Sequence, residues 1–295
     1  MGQIWAVVRY NFRGFFREPR VLMTFGFGFV ISFLLSGKVM QVTEIYDSSM
    51  QAVEPFLWTF GDAPSILICS LLLIFLFSDV PKLSAMTPFF LMRITKRKWL
   101  AGQLLYISLA TGVYLLFIFL TTCLLCMQHT FIGNIWSKTA AMLGYSKLGE
   151  QMLVPSTVKV MESITPYGCM ARLILLMLGY SLVLSFLVLT VNLKAGKHAG
   201  IFAGVLFSVY GYLLSSSILQ KILGLPDWQM YKANVLAGWL SPLNHAVYAR
   251  HSFGYDMLPT LTQSYLVYGG LLVILLLCSM HFLKEYNFAF LGQRD

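Results

Sequence analysis

Six long apolar runs alternate with polar segments along the chain. Each run is close to the roughly 17–25 residues that an α-helix needs to cross the hydrocarbon core of a bilayer. None contains Asp, Glu, Lys or Arg, each of which costs about 2.5–3.5 kcal/mol at the centre of a membrane helix. The pattern predicts an all-α integral membrane protein with six transmembrane helices, at 21–37, 63–78, 100–124, 173–192, 199–219 and 262–283.

The composition agrees with lipid as the solvent for much of the protein surface. Of the 295 residues, 58% are hydrophobic and 11% are charged. Soluble domains carry about 25% charged residues. No soluble fold of this size has enough interior to bury so much apolar side chain. We therefore expect residues 1–295 to form a single transmembrane domain.

Lys and Arg are distributed unevenly between the two sets of polar segments. The set at 1–20, 79–99, 193–198 and 284–295 holds 13 basic residues against four acids, and the opposite set holds seven against eight. Because basic residues collect on the cytoplasmic side, this imbalance predicts a multi-pass protein of the plasma membrane with cytoplasmic N- and C-termini. The same imbalance accounts for the net charge of +9, so we do not expect nucleic acid as a partner.

The N-terminal segment has the pattern of an amphipathic helix over residues 4–19. Its apolar side chains fall on one arc, and Arg9, Arg13 and Arg17 form the neighbouring stripe. A helix of this kind lies at the lipid headgroups, where each arginine gains about 1 kcal/mol beside anionic lipid. Pro19 is expected to end this interfacial helix and turn the chain into the first span. The alternative is a basic flank with no fixed position.

The segment 79–99 is the most basic part of the chain and is too long for a tight turn between two spans. Its length predicts one or two short helices that project from the membrane. Its basic residues form a positive tip for a partner: Arg93, Lys96, Arg97 and Lys98. The alternative is a solvated loop that only carries the positive charge of the cytoplasmic side.

The two long segments on the opposite side differ in character. Residues 125–171 are mixed, with short helical patterns and little charge, and predict no particular chemistry. Residues 220–261 are as apolar as an interfacial segment, and Pro242 interrupts them. We expect this outer loop to enter the outer leaflet as a helix, a break and a second helix, with its backbone packed on protein. The candidate outer gate within it is Trp239, Leu240 and Pro242.

Small residues recur every four positions near the start of the fifth predicted span. Gly196, Gly200 and Gly204 predict a ridge along one helix face, against which another helix packs closely. Such ridges are common in membrane proteins, so this one indicates packing rather than a dimer.

Several classes of function lack the residues that they need. Ion-coupled carriers usually have an ionisable or unwound site at mid-membrane, and no predicted span holds an ionisable one there. The chain has no phosphate-binding loop for ATP, no His-Glu-x-x-His and no Gly-x-Ser-x-Gly motif. His245 and His251 are expected on different helix faces, and the apolar surroundings of Cys123 and Cys126 favour packing over a metal. We predict no catalytic residue and no metal site.

These exclusions leave a membrane subunit with a basic docking surface and no energy source of its own. The chain resembles the permeases of type-two ATP-binding-cassette (ABC) exporters in the order and spacing of its six predicted spans. RYNFRGFFREPR at 9–20 is similar to their surface elbow helix, and RITKRKWLAGQ at 93–103 to the stretch from the coupling helix into the third span. WLSPLNHAVYAR at 239–250 is similar to their re-entrant element. Many members begin the coupling region with several glutamates, whereas this chain has Asp79 alone.

The resemblance implies partners that this chain does not encode. A second permease copy or a related permease would complete a dimer, and separate cytoplasmic ABC ATPase subunits would bind ATP and Mg²⁺. No cofactor is expected in this chain, and membrane lipid is its remaining partner. The basic residues at 93–98 would then couple the permease to the ATPase.

The resemblance also implies that the first and fifth spans line a cleft between the two permeases. Phe25 and Phe29 would face it from the first span, and Ser208, Tyr212 and Ser215, which are spaced to share one helix face, from the fifth. The alternative for all five is ordinary helix packing.

An apolar cleft suits an amphiphilic substrate moved outward by alternating access, such as a hydrophobic peptide, a lipid-linked molecule or a drug. The alternative function is that of a non-transporting immunity or sensor protein that binds a peptide at its outer loops.

Overall fold

The computed structural model describes residues 2–83, 87–146, 148–152, 154–196 and 198–286, and most of them are helical. Residues 84–86 of the predicted coupling region and the C-terminal segment after Tyr286 lie outside the described residues. In chain order the α-helices are α1 (Gly2–Phe12), α2 (Pro19–Ile45), α3 (Glu54–Thr59), α4 (Ala63–Leu76), α5 (Thr87–Arg93), α6 (Lys96–Leu125), α7 (Lys138–Tyr145), α8 (Leu148–Gln151), α9 (Val158–Ser163), α10 (Pro166–Ala195), α11 (Ala199–Leu213), α12 (Ser216–Ile222), α13 (Met230–Leu240) and α14 (Leu261–Glu285).

Two short strands depart from the all-helical prediction. The strand β1 (Met50–Gln51) pairs in parallel with β2 (Thr130–Phe131). This pairing joins the segment after α2 to the segment after α6, so both segments lie at the same end of the helix bundle.

Four helices of the described chain are long and apolar enough to cross a membrane. They are α2, α6, α10 and α14, with 27, 30, 30 and 25 residues. They contain the first, third, fourth and sixth predicted spans. Their exposed faces are rich in large apolar side chains, among them Phe33 on α2 and Ile274 on α14. Such faces are stable in contact with lipid, and together the four helices indicate a multi-pass membrane protein.

The other two predicted spans differ from single crossing helices. The second is α4, whose 14 residues extend about 21 Å, less than the hydrocarbon core of about 30 Å. The fifth is broken, because α11 and α12 meet at an angle of 82°. The serine run that begins at Ser215 explains the break, since the Ser215 hydroxyl accepts a hydrogen bond from the Ile218 amide and caps α12.

The helix α10 lies at the centre of the bundle and packs against α4, α6, α11 and α14. Near its C-terminal end, the Asn192 amide group donates to the Val80 carbonyl at 2.7 Å and accepts from the Gly200 amide at 2.8 Å. One buried side chain thus joins three parts of the chain. Thr190 makes a further link, with its hydroxyl 2.7 Å from that of Ser279 on α14.

Glycines bring α11 close to its neighbours. A methyl group at Gly200 would overlap the Val188 carbonyl oxygen and lie 2.6 Å from Asn192 Oδ1. Gly204 packs against Ile74 and Val188. The predicted ridge is therefore confirmed at these two positions. It is wrong for Gly196, which ends α10 with a φ of 86° and lies outside α11.

The N-terminal helix is shorter than predicted. It ends at Phe12, and Gly14 follows with a φ of 80°, a conformation that glycine adopts without strain. Pro19 does not end this helix; it lies in the first turn of α2, where the lack of an amide hydrogen costs nothing. The chain therefore turns at Gly14, and α1 packs against α6.

These contacts define two ends of the bundle. The α1 end contains α1, the segment 77–83, the first turn of α6, the end of α10 and the start of α11. The β1 end contains β1, β2, α3, α7 and the segment 241–260.

Packing at Gly200 yields a prediction for stability. Gly200→Ala should lower the free energy of unfolding by about 1–3 kcal/mol, because the added methyl group overlaps the backbone of α10. The control is Gly270→Ala on α14, where a methyl group meets no atom within 4 Å. Thermal unfolding of the purified protein in detergent measures both. Equal melting temperatures for the two variants would contradict the close α10–α11 contact.

Candidate functional site

Two ion pairs join the start of α2 to the segment that follows α4. The Lys82 ammonium lies 2.7 Å from Glu18 Oε1, and the Arg20 guanidinium lies 2.6 Å from Asp79 Oδ2. Arg20 also donates to the Ser78 hydroxyl at 3.4 Å. All four charged side chains are at most about a third exposed, so solvent screens the pairs only in part. The beginning of the first long helix is thus held to the end of α4.

A buried amide bridge extends these ion pairs to α1 and α6. Asn11 on α1 donates to Gln103 Oε1 at 3.0 Å, and Gln103 donates to the Lys82 carbonyl at 3.3 Å. Gly102 permits the contact, because a methyl group there would lie 2.7 Å from the Val7 side chain. We call Asn11, Glu18, Arg20, Asp79, Lys82 and Gln103 the junction. Movement of the segment 77–83 must therefore also move α1, α2 or α6, or break polar contacts.

Sequence reasoning missed the junction, although one signal was available. The pairs of opposite charge, Glu18 with Arg20 and Asp79 with Lys82, flank the first two predicted spans at the same end. Asp79, the acid that begins the predicted coupling region, forms its ion pair with Arg20 of the same chain.

The basic residues at 93–98 fall into separate places. Arg93 ends α5, while Lys96, Arg97 and Lys98 form the first turn of α6, and all four are exposed. Lys98 donates to Gln3 Oε1 on α1 at 2.8 Å. Cations at a helix N-terminus are opposed by the helix dipole, so this turn favours an anionic neighbour.

The predicted interfacial helix divides its apolar residues between protein and surface. Val8 and Phe15 are buried, whereas Trp5 is 51% and Phe16 is 63% exposed. Arg9, Arg13 and Arg17 are exposed as well. The α1 segment therefore presents aromatic and cationic side chains together.

The candidate cleft residues do not form one surface. Phe25 packs within an aromatic cluster, with its ring centroid 5.0 Å from that of Phe117, and Phe29 is 47% exposed. The expectation that Ser208, Tyr212 and Ser215 share a helix face is wrong for Ser215, whereas Ser208 and Tyr212 lie four residues apart within α11. Ser208 is fully buried, Tyr212 is 50% exposed, and Ser215 lies beyond the end of α11 because the helix breaks there.

The candidate gate residues lie where α13 ends. Trp239 donates to the Met257 carbonyl at 3.1 Å, and Leu240 is 50% exposed. The helix stops at Leu240, ahead of Pro242, whose carbonyl accepts from the Tyr268 hydroxyl at 2.9 Å. The Ser241 hydroxyl donates to the Gly211 carbonyl. A helix and a break are thus confirmed, but short 3₁₀ turns follow instead of a second α-helix.

His245 and His251 converge on one hydroxyl, contrary to the expectation that they point apart. Because 244–250 forms turns and not a helix, both rings reach Ser264 Oγ, at 2.7 Å from His245 Nδ1 and 2.9 Å from His251 Nε2. All three side chains are buried. We call them the histidine bridge, which holds the 241–250 segment to the start of α14.

With both histidines neutral, the histidine bridge has one hydrogen too few to satisfy both inner nitrogens, His245 Nδ1 and His251 Nε2. His245 Nε2 faces the Trp239 carbonyl and His251 Nδ1 faces the Val247 and Tyr248 carbonyls, so both nitrogens must donate. The single Ser264 hydrogen then serves only one of the two inner nitrogens. Burial lowers the pKa of both histidines, and for His251 the positive charges of His245 and Lys159 lower the pKa further.

A second polar cluster that sequence reasoning missed centres on Glu54. Its carboxylate is fully buried and accepts from the Gln51 amide and from the amide and hydroxyl of Ser137, at 2.6–2.9 Å. Burial raises the pKa of Glu54, and these hydrogen bonds oppose that shift. The cluster fastens α3 to the start of α7 at the β1 end.

Metal chemistry has no support in the described residues. They contain no group of three or more His, Cys, Asp or Glu side chains that could hold an ion. The five cysteines are free thiols, with Cys126 buried and Cys123 half-buried.

The histidine bridge predicts a loss of stability in acid. In the unfolded chain both histidines bind protons with ordinary pKa values near 6.5, whereas burial lowers the pKa of both in the folded protein. Stability is therefore complete above about pH 7 and falls as the pH drops through 6.5, by on the order of 1–2 kcal/mol at pH 5. Thermal unfolding across this range measures the loss. The double variant His245→Gln, His251→Gln should flatten the profile and His129→Gln should not; parallel profiles for all three proteins would refute the effect.

Comparisons with known proteins do not indicate a function for this chain. No family model, no curated protein and no solved structure matches this chain. The features that bear on function are therefore the junction and basic surface at the α1 end, and the histidine bridge and Glu54 cluster at the β1 end.

Proposed function

We propose that this chain is the membrane-spanning permease subunit of an ATP-driven ABC exporter. It works as a dimer with a second copy or a related permease, and separate cytoplasmic ATPase subunits supply the ATP and Mg²⁺ chemistry. The junction carries the proposal, because it ties a surface helix and the first long helix to the segment that leads into α5. A permease needs such a connection to convert a push from outside the membrane into helix movement.

Six crossings are proposed, with α4 and the broken α11–α12 pair as the second and fifth. Contacts between the ends of these helices support this arrangement. At the α1 end, Asn11 bonds Gln103, Asn192 bonds Val80, and Lys194 lies 5.2 Å from the Phe282 ring. At the β1 end, Glu54 bonds Ser137 and Arg172 donates to the Tyr248 hydroxyl at 2.8 Å. Each of the six elements then joins one end to the other.

In this mechanism the α1 end is cytoplasmic, α1 is the elbow helix and α5 is the coupling helix. Met92 is 73% exposed next to Arg93, so the end of α5 offers an apolar and a cationic contact to an ATPase. Closure of the ATPases pushes α5, and the segment 77–83 transmits the push through the junction to α1, α2 and α6. Lys96, Arg97 and Lys98 flank this docking point.

At the other face, residues 228–250 act as a re-entrant outer gate. The α13 helix, the break at Pro242 and the following turns pack on α10 and α14 through Tyr268 and the histidine bridge. Trp239 and Leu240 lie at the turn. The gate opens when α10, α11 and α14 separate, and an amphiphilic substrate then leaves outward.

Reversing the charge of the coupling helix tests the proposal. Arg93→Glu should weaken ATPase association about tenfold, roughly 1.4 kcal/mol, and lower ATP-driven transport, because the docking contact becomes repulsive. The control is Lys232→Glu, which makes the same charge change on the exposed surface of α13, far along the chain from α5. Affinity purification in mild detergent, followed by identification of the copurifying chains, provides the measurement.

Wild type and Lys232→Glu should copurify with an ATPase that has a phosphate-binding loop, and Arg93→Glu should lose most of it. Purification of the wild type without any ATPase would contradict the permease function and favour the immunity or sensor alternative. Equal recovery with all three proteins would remove the docking role of Arg93 but keep the permease function.

A further inference from the structure

An open groove of about 780 Å³ lies between the first turn of α6 and the last two turns of α14. Its wall includes Lys96 and Arg97 from α6 and Leu277, Met280, His281 and Lys284 from α14. The groove is therefore built by two helices at the α1 end, and none of its described lining residues belongs to the junction.

The polar part of the groove carries positive charge. Lys96, Arg97 and Lys284 supply three cationic groups, and no acid contributes to the described lining. The positive end of the α6 dipole points to the same place. Within the described part of the chain, neither Arg97 nor Lys284 forms an ion pair. This concentration of cations matches an anion with more than one oxygen, such as a phosphate.

The other part of the groove is apolar and continues along the membrane face of α14. Leu277 is 55% exposed, and Ile274 and Val273, about one turn farther from the charged end, are 56% and 58% exposed. Leu277 and Lys284 are seven residues apart, which corresponds to about 10 Å along the helix. The wall therefore changes from cationic to apolar in the order of a phospholipid.

We propose that this groove binds the phosphate headgroup of an anionic phospholipid, with an acyl chain along Leu277 and the exposed face of α14. Charge complementarity selects the headgroup, and continuity with the membrane face of α14 distinguishes a lipid from a soluble anion. The proposal needs the protein to lie in a membrane but does not depend on the permease function. Its consequence is that anionic lipid holds the start of α6 to the end of α14.

Lipid retention measured by native mass spectrometry tests the site. The purified full chain is exchanged into detergent with defined amounts of phosphatidylglycerol or phosphatidylcholine. Wild type should retain phosphatidylglycerol preferentially. The double variant Arg97→Gln, Lys284→Gln should bind it roughly 25-fold more weakly, about fivefold for each charge removed. The control Lys221→Gln, Lys232→Gln removes the same charge from exposed positions outside the groove and should bind like wild type.

A second variant and a soluble probe separate the rival explanations. Leu277→Asn should weaken binding of the long-chain lipid and leave binding of glycerol phosphate unchanged, because it alters only the apolar wall. A melting temperature equal to that of wild type shows that each variant is folded. Equal retention by wild type and Arg97→Gln, Lys284→Gln, or equal affinity of wild type for phosphatidylglycerol and glycerol phosphate, would overturn the lipid site. Loss of a copurifying soluble chain without any change in lipid retention would make the groove a protein interface instead.

Discussion

The exclusion of unpaired polar groups from hydrocarbon is the constraint on which this structure depends. A long apolar helix satisfies its own backbone, but charged side chains and broken backbone must lie at its ends or be paired within the protein. The chain meets this constraint by collecting its charges at the two ends of the bundle. Asn192, Thr190 and Ser279 are polar residues toward the α1 end of their helices, and each hydrogen-bonds to another element. Apolar packing therefore stabilises the middle of the long helices, and polar pairing stabilises their ends.

The two ends use different polar chemistry, and this difference supports the division of roles in the proposed mechanism. At the α1 end, ion pairs and an amide bridge link elements that a cytoplasmic partner could move. At the β1 end, a buried carboxylate and two histidines fasten short helices and turns to the long helices. Breaking the ion pairs requires separating charges that solvent partly screens, whereas breaking the second set leaves a buried carboxylate and buried imidazoles without hydrogen-bond partners. The ion pairs of the junction are thus more readily rearranged than the buried clusters at the β1 end.

Sequence patterns predicted the long helices and missed features that depend on contacts. Apolar runs place α2, α6, α10 and α14 correctly because their length and lack of charge are local properties. The break at Ser215 was missed because a serine run within an apolar segment resembles a continuous helix. Gly14, and not Pro19, ends α1, since the decisive feature is a positive φ that periodicity does not contain.

The polar clusters were harder to predict for a physical reason. Glu54 and Ser137 are 83 residues apart, and nothing near Glu54 in the sequence distinguishes it from a loop acid. His245 and His251 were assigned to a helix, for which a spacing of six residues separates two side chains, but the turns after Pro242 bring them together. The charge pairs of the junction are the exception. The sequence shows that they flank two consecutive predicted spans at the same end. Orientation and docking function rest on the distribution of Lys and Arg.

The central claim is that the α1 end faces the cytoplasm and the β1 end faces outward. Cysteine accessibility tests it most directly, with Ser146→Cys at the β1 end and Met92→Cys at the end of α5, both at exposed positions in a chain whose native cysteines are replaced. A membrane-impermeant thiol reagent should label Ser146→Cys in intact cells and Met92→Cys only after the membrane is permeabilised. Labelling of Met92→Cys in intact cells, with Ser146→Cys protected, would reverse the orientation and contradict the account.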